Sequence, residues 1–184
     1  MIEKRKNYED FSDKIVIADS SPLINLHKID KMYYLRELFV DVYTTETVKD
    51  ECHFELPKWI KIEEPKDITK SLLIHKHIDP GEQSAIGLAV ELMLKEQQKE
   101  IKTKSILILD DTNARKAYKK LKIGIESISI KDILSFAYDK KFFDKQEGLD
   151  LIKKLEDNKF TIKKDDVNRI FGETENTLNK KVKK

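Results

Sequence analysis

Residues 15–24, Ile15-Val16-Ile17-Ala18-Asp19-Ser20-Ser21-Pro22-Leu23-Ile24, decide how this chain folds. The run Ile15–Ala18 is short, apolar and mostly β-branched, the pattern of a strand buried on both faces. It stops at Asp19. Ser20 or Ser21 can then cap a helix, with Pro22 in its first turn, where a missing N–H costs little. Leu23, Ile24, Leu26 and Ile29 continue as a helical stripe. The pattern returns downstream: Ser105-Ile106-Leu107-Ile108-Leu109 is the strongest strand signal in the chain. That run stops at Asp110-Asp111, and Thr112-Asn113 opens a basic helix to about Lys122.

Outward from these two segments, strands and helices alternate. Met32, Leu35, Leu38 and Phe39 suggest a second helix, and Val40-Asp41-Val42-Tyr43 a strand. Thr44 or Thr45 caps a helix carrying Val48, Glu51 and Cys52. Trp59–Ile62 reads as a weaker strand, 67–77 as the start of a helix, and 123–128 as a short strand. The clearest helix opens at Asp79-Pro80-Gly81-Glu82 and runs through Ile86, Leu88, Ala89, Leu92 and Leu94. Further helices are expected around 129–140, 145–157 and 164–171. Alternation of this kind predicts an α/β sandwich on a central, mainly parallel sheet. Right-handed crossovers place the C-terminal ends of parallel strands on one edge, where such sheets bind ligands. Asp19 and Asp110 both fall at that edge.

The chain is long enough for one core, and residues 15–173 are read as one domain. It is flanked by a charged extension over 1–14 and a polar, basic tail over 174–184. Charged residues make up 38% of the chain against 39% hydrophobic, so the surface must be densely charged around a modest core. The net charge is only +2, so any nucleic-acid footprint must come from a local patch. One cysteine, Cys52, excludes an internal disulfide and a cysteine-based zinc site, and suits a reducing compartment. No apolar run approaches the ~20 residues of a bilayer span, and the first residues lack a signal-peptide core. The expectation is a cytoplasmic protein with no membrane association.

Asp19, Glu51, Glu82 and the pair Asp110/Asp111 stand out. Carboxylates brought to one crevice repel each other, and they either hold a proton or recruit a cation. Mg²⁺ and Mn²⁺ take hard oxygen ligands, and Mg²⁺ keeps several waters, so two or three carboxylates suffice. Such an ion activates water and offsets charge on a phosphoryl transition state. Each acid also has a plainer reading. Asp19 and the aspartate pair can be strand ends or helix caps, and Glu51 a solvated acid on an amphipathic helix. Asp79-Pro80-Gly81-Glu82 fits a capping box, with Glu82 reaching back to the Asp79 backbone.

These residues together resemble the PIN domains, in particular the prokaryotic branch of VapC-like ribonuclease toxins with an Asp-Ser-Ser-Pro-Leu-Ile opening. Here that opening is Asp19-Ser20-Ser21-Pro22-Leu23-Ile24. Thr45-Glu46-Thr47-Val48-Lys49-Asp50-Glu51 is similar to the branch's Val-x-x-Glu helix. Asp79-Pro80-Gly81-Glu82-Gln83-Ser84-Ala85-Ile86 and Leu107-Ile108-Leu109-Asp110-Asp111-Thr112-Asn113-Ala114-Arg115 resemble its next two blocks. Ile170-Phe171-Gly172-Glu173 looks like its C-terminal Gly-Glu, so the resemblance runs collinearly over about 15–173. Gly124-Ile125-Glu126-Ser127-Ile128 departs from the glycine- and threonine-rich stretch expected there.

The resemblance implies a three-layer α/β/α sandwich and a Mg²⁺- or Mn²⁺-dependent endoribonuclease. Asp19, Glu82, Asp110 and Asp111 would be the catalytic metal-site acids, and Glu51 a further acid in or beside the metal shell. Ser20 would contribute a hydroxyl or backbone contact. Which of Asp110 and Asp111 faces the metal is left open, because strand side chains alternate faces. Glu46 competes with Glu51, and the Val48 register favours Glu51. The resemblance further implies a toxin of a toxin–antitoxin or defence system, an RNA substrate and a small antitoxin partner. PIN proteins often form homodimers, although no interface signature stands in this sequence.

Arg115, Lys116, Lys119, Lys120 and Lys122 follow the aspartate pair. Arg115/Lys119 and Lys116/Lys120 are each spaced to share a helix face. Such a face beside the acids suits a phosphate backbone, with Arg115 and Lys119 as substrate contacts, and equally suits a solvated surface. His75 and His77 lack a third zinc ligand, His27 and His53 read as surface residues, and Cys52 as a packed side chain without an activating partner. Trp59 and the aromatics Tyr33, Tyr34, Phe136, Tyr138, Phe142 and Phe143 read as core or interface. The competing function is a non-catalytic PIN module that binds RNA or protein. A phosphatase or receiver domain fits less well, because a receiver's aspartate pair follows its first strand.

Overall fold

The computed structural model describes residues 13–66, 78–98, 104–120, 122 and 124–172. The helix expected over 67–77, with His75 and His77, lies outside the described residues. So do most of the N-terminal extension and the tail. Strands β1 (Ile15–Ala18), β2 (Asp41–Thr44), β3 (Lys61–Ile62), β4 (Ser105–Ile108) and β5 (Glu126–Ile128) form one sheet in the order β3-β2-β1-β4-β5. Every neighbouring pair is parallel. The expected α/β class with a parallel central sheet is the observed one.

The centre of the sheet explains why apolar, β-branched runs had to form it. Val16, Ile17 and Ala18 of β1, and Ile106, Leu107 and Ile108 of β4, are almost wholly shielded from solvent. Each such valine, isoleucine or leucine side chain contributes roughly 1.5–3 kcal/mol over leaving it in water. Between the strands run α1 (Ser20–Lys28), α2 (Tyr33–Leu38), α3 (Glu46–Cys52), α4 (Pro80–Gln98) and α5 (Thr112–Lys120). Helix α4 packs on β1 and β4, and α3 on α1 and α4. Ala85, Ile86, Leu88, Ala89 and Leu92 of α4 are buried, the 3–4 spacing of a core-facing stripe.

Strand order fixes the position of the crevice. From β1 the chain builds outward to β2 and β3, then returns to add β4 and β5 on the other side. The direction of winding reverses between β1 and β4, and adjacent parallel strands there diverge into helices that leave a cleft. Ala18 pairs in register with Ile108, so both strands end at the same level. Asp19 N–H still donates to Ile108 O at 3.2 Å, and Leu109 N–H to Ile128 O at 3.0 Å.

Several boundaries differ from expectation. Neither Ser20 nor Ser21 caps α1: Ser20 is already helical, and Asp19 holds the cap position in extended backbone (φ −76°, ψ 169°). Asp19 remains extended because its N–H still bonds to β4, and its side chain makes no capping bond. Strand β2 starts at Asp41, since Val40 is 54% exposed and the register opposes Asp41 to Ile15. Thr45, not Thr44, caps α3, accepting from Val48 N–H at 3.2 Å. Strand β3 is two residues long, because a turn from Pro57 to Ile60 takes up the preceding residues. Strand β5 begins after Gly124, whose φ of 85° breaks the extended run.

The described residues up to Ile130 form one compact unit, and those from Lys131 another. The second is helical, with most of α6 (Ile130–Asp139), α7 (Lys145–Asp157) and α8 (Lys164–Ile170). A reciprocal capping box between Asp144 and Glu147 starts α7. Gly148 lies where an added Cβ would come within 2.6 Å of the Phe143 and Phe171 rings, so glycine allows the close helix approach. Tyr138 meets Phe171 edge-on at 5.0 Å, which places these aromatics in packing. Salt bridges Lys131–Asp166 (2.7 Å) and Arg169–Asp132 (3.1 Å) close the unit's surface.

Candidate active site

Asp19 leaves β1 at the reversal point and is buried, only 2% exposed. Its Oδ1 has no hydrogen-bond partner. Burial pushes its carboxyl from the ordinary 3.8 to about 8, against the pull of the Ser20 N–H. The charges of Glu82, Asp79 and Glu51 raise it further. A buried carboxylate oxygen without a partner is costly, so it marks a group waiting for a proton or a cation.

Glu82 stands in the first turn of α4 and is buried at 5% exposure. The capping box expected from its sequence is present: Glu82 N–H donates to Asp79 Oδ1 at 2.8 Å, and Asp79 N–H to Glu82 Oε2 at 3.1 Å. Burial raises Glu82 to about 7, opposed by that backbone bond and reinforced by Asp79, Asp111 and Glu51. One side chain therefore caps a helix and belongs to the acidic cluster.

Glu51 and Glu46 are told apart by geometry. Glu46 points to solvent and pairs with Lys49 at 2.8 Å. The Glu51 carboxylate instead lies over Gly81, where a Cβ would stand 2.5 Å from its Oε1. Glu51 also contributes to the raised values of Asp19, Glu82 and Cys52. On its outer side α3 borders a shallow hollow lined by Glu46, Thr47, Asp50, Glu51, His53 and Glu64. Cys52 is buried, and desolvation lifts its thiol to about 12, which removes it as a nucleophile at neutral pH.

The aspartate pair divides its work. Asp110 Oδ1 accepts from Ile130 N–H at 2.8 Å, and Oδ2 from the Asn25 side-chain amide at 3.4 Å. Asp111 is exposed, and its Oδ1 takes the N–H groups of Asn113 and Ala114, each at 2.7 Å, as the cap of α5. Its charge nevertheless reaches Glu82. Asn25, buried on α1, is a site residue that sequence reasoning misses, although its place in Leu23-Ile24-Asn25-Leu26 offers a signal as a polar residue within an apolar stripe. Thr44 stands out in the sequence only as a possible cap. Its buried hydroxyl donates to Ala18 O at 2.9 Å and ties β2 to the residue before Asp19. Thr45 and Ser84 share a short hydroxyl–hydroxyl bond joining α3 to α4.

Acids from the ends of β1 and β4, from α3 and from α4 thus share one electrostatic neighbourhood. Among the described residues, no three His, Cys, Asp or Glu side chains are gathered closely enough to grip a metal ion. Ser20 lies beside Asp19 through its backbone N–H. On α5, Arg115 is half-buried while Lys116, Lys119 and Lys120 are exposed. His27 stacks flat on Phe54 at 3.8 Å, and His53 ends α3 in a left-handed conformation (φ 55°), so both histidines are accounted for structurally.

A parallel α/β sheet with acids at the strand ends where its winding reverses is the frame of the site. The model of the PIN domain family matches residues 15–176, nearly the whole chain, and the protein belongs to that family. No curated protein matched the chain, and no solved structure did. Among the described residues, no helix is long and apolar enough to cross a membrane.

Proposed function

We propose that this protein is a divalent-metal-dependent endoribonuclease of the VapC-like toxin kind, acting in the cytoplasm and restrained by a small antitoxin. The observation that carries the reading is the buried Asp19 carboxylate at the reversal point, whose Oδ1 has no hydrogen-bond partner and which lies within the field of Glu51 and Glu82. An all-oxygen donor set suits Mg²⁺ or Mn²⁺ over softer ions. Asp19, Glu82 and Asp110 or Asp111 would hold the ion, with Glu51 in or beside its shell. The bound ion would supply an activated water and neutralise charge on the scissile phosphate.

The chain's own residues set the rest. Asp19 and Glu82 hold protons near neutrality, so cation uptake must displace them and becomes more favourable as pH rises. Asn25 and the Ile130 amide fix the Asp110 carboxylate, so its orientation does not depend on substrate. Arg115 and Lys119, on one face of α5, would carry the RNA backbone, and Ser20 would line the crevice.

A non-catalytic PIN module is the second reading, favoured by the spread of the described acids, which form no closed metal-binding group. Calorimetric titration with Mn²⁺, paired with RNA cleavage by parent, Asp19→Asn and Asp110→Asn, separates the two. A nuclease takes up Mn²⁺ stoichiometrically and loses cleavage in both variants. Unchanged cleavage in the variants refutes the nuclease reading, and absence of Mn²⁺ uptake by the parent favours the binding module.

A further inference from the structure

We propose that Gly81 is a positioning residue: it bears no side chain so that the Glu51 carboxylate can lie over the first turn of α4, the turn that carries Glu82. The inference extends the nuclease reading to a residue that touches neither metal nor RNA. The atoms nearest a Cβ built at Gly81 all belong to Glu51, with Oε1 at 2.5 Å and Cδ at 2.7 Å. Real Cβ atoms do not approach that closely, so one group must move. The Gly81 backbone is locked in the helix that packs on β1 and β4. The obstructed atoms are the far end of a flexible glutamate. Glu51 is therefore the group that yields, toward the open hollow lined by Asp50, His53 and Glu64.

The usual reasons for glycine do not apply here. Positive φ among the glycines occurs at Gly124 and Gly172, not at Gly81. Alanine suits a helix better than glycine. Conformation and helix propensity thus both favour alanine at this position, and space for Glu51 is what opposes it. Pro80 and Glu82 on either side serve the start of α4, whereas Gly81 serves a side chain on another helix.

The test uses four proteins: parent, Gly81→Ala, Glu51→Asp and Gly81→Ala/Glu51→Asp. Thermal melting of metal-free Gly81→Ala should equal or exceed the parent. Its crystal structure should show the Glu51 carboxylate displaced from the first turn of α4. Mn²⁺ affinity by calorimetry should fall about tenfold to a hundredfold, the size expected when a group supporting a metal site is lost. Glu51→Asp should weaken Mn²⁺ binding on the glycine background and restore part of it on the alanine background, because the shorter acid clears the added methyl. Glu51 unmoved in the Gly81→Ala crystal, or independent effects of the two substitutions on affinity, overturns the proposal. A parent that takes up no Mn²⁺ sinks the nuclease reading instead, and the crystal comparison then decides the role of Gly81 alone.

Discussion

Replacing Asp19 with asparagine should stabilise the metal-free protein at high pH while abolishing its metal response. The Asp19 carboxyl is 2% exposed and titrates near 8 when folded, against 3.8 ordinarily. Below 3.8 both folded and unfolded chains hold the proton, and the group is neutral in its effect. Between 3.8 and about 8 the unfolded chain gives up the proton while the folded chain keeps it, so stability falls with rising pH. The slope is about 1.4 kcal/mol per pH unit, and the loss at the top of the window is on the order of 5 kcal/mol. Above about 8 the loss is complete and constant. That is a large part of a typical domain's stability of roughly 5–15 kcal/mol. Asparagine has the same shape and no charge, and its amide costs about 1 kcal/mol for an imperfect partner. Urea unfolding in chelator should therefore place the Asp19→Asn variant below the parent at about pH 4 and several kcal/mol above it at about pH 9. Adding Mn²⁺ should raise the parent's midpoint and leave the variant's unchanged. Midpoints that run parallel across this pH range would refute the assignment of a buried, poorly solvated charge at Asp19.

The two duties of Glu82 can be separated. Glu82→Gln keeps a residue competent for the capping box, so its melting temperature should stay near the parent's while Mn²⁺ uptake is lost. Asp79→Ala should cost about 1 kcal/mol of stability in thermal unfolding. Thr45→Val strands the Ser84 hydroxyl in a buried site and should cost about 1–3 kcal/mol by urea titration, whereas Thr45→Ser should be nearly neutral. Arg115→Ala and Lys119→Ala should each lower the salt slope of RNA affinity by about 1, read by filter binding at several salt concentrations. An unchanged slope would remove α5 from the RNA path.

The two central strands were legible because their apolar runs are short and end abruptly in acids. Ile15–Ala18 and Ser105–Ile108 could hardly be anything else, and their parallel pairing follows from the helices between them. The start of α1 was less legible. Ser20 and Ser21 are good caps by type, but Asp19 keeps its bond to Ile108 and so occupies the cap position, a tertiary effect outside the local sequence. The register favours Glu51 over Glu46 from the sequence, whereas the contact of the Glu51 carboxylate with Gly81 joins segments far apart in the chain. The capping box at Asp79 and Glu82 was legible because it is local. The clasp of Asn25 and Ile130 on Asp110 was not, since those partners lie far along the chain on either side.

The hold of Ile130 on Asp110 has a consequence for synthesis. A chain still on the ribosome carries Asp19, Glu51 and Glu82 well before the amide that steadies Asp110 has left the exit tunnel. Until Ile130, 20 residues beyond Asp110, has followed it out, that wall of the crevice lacks its fixed carboxylate.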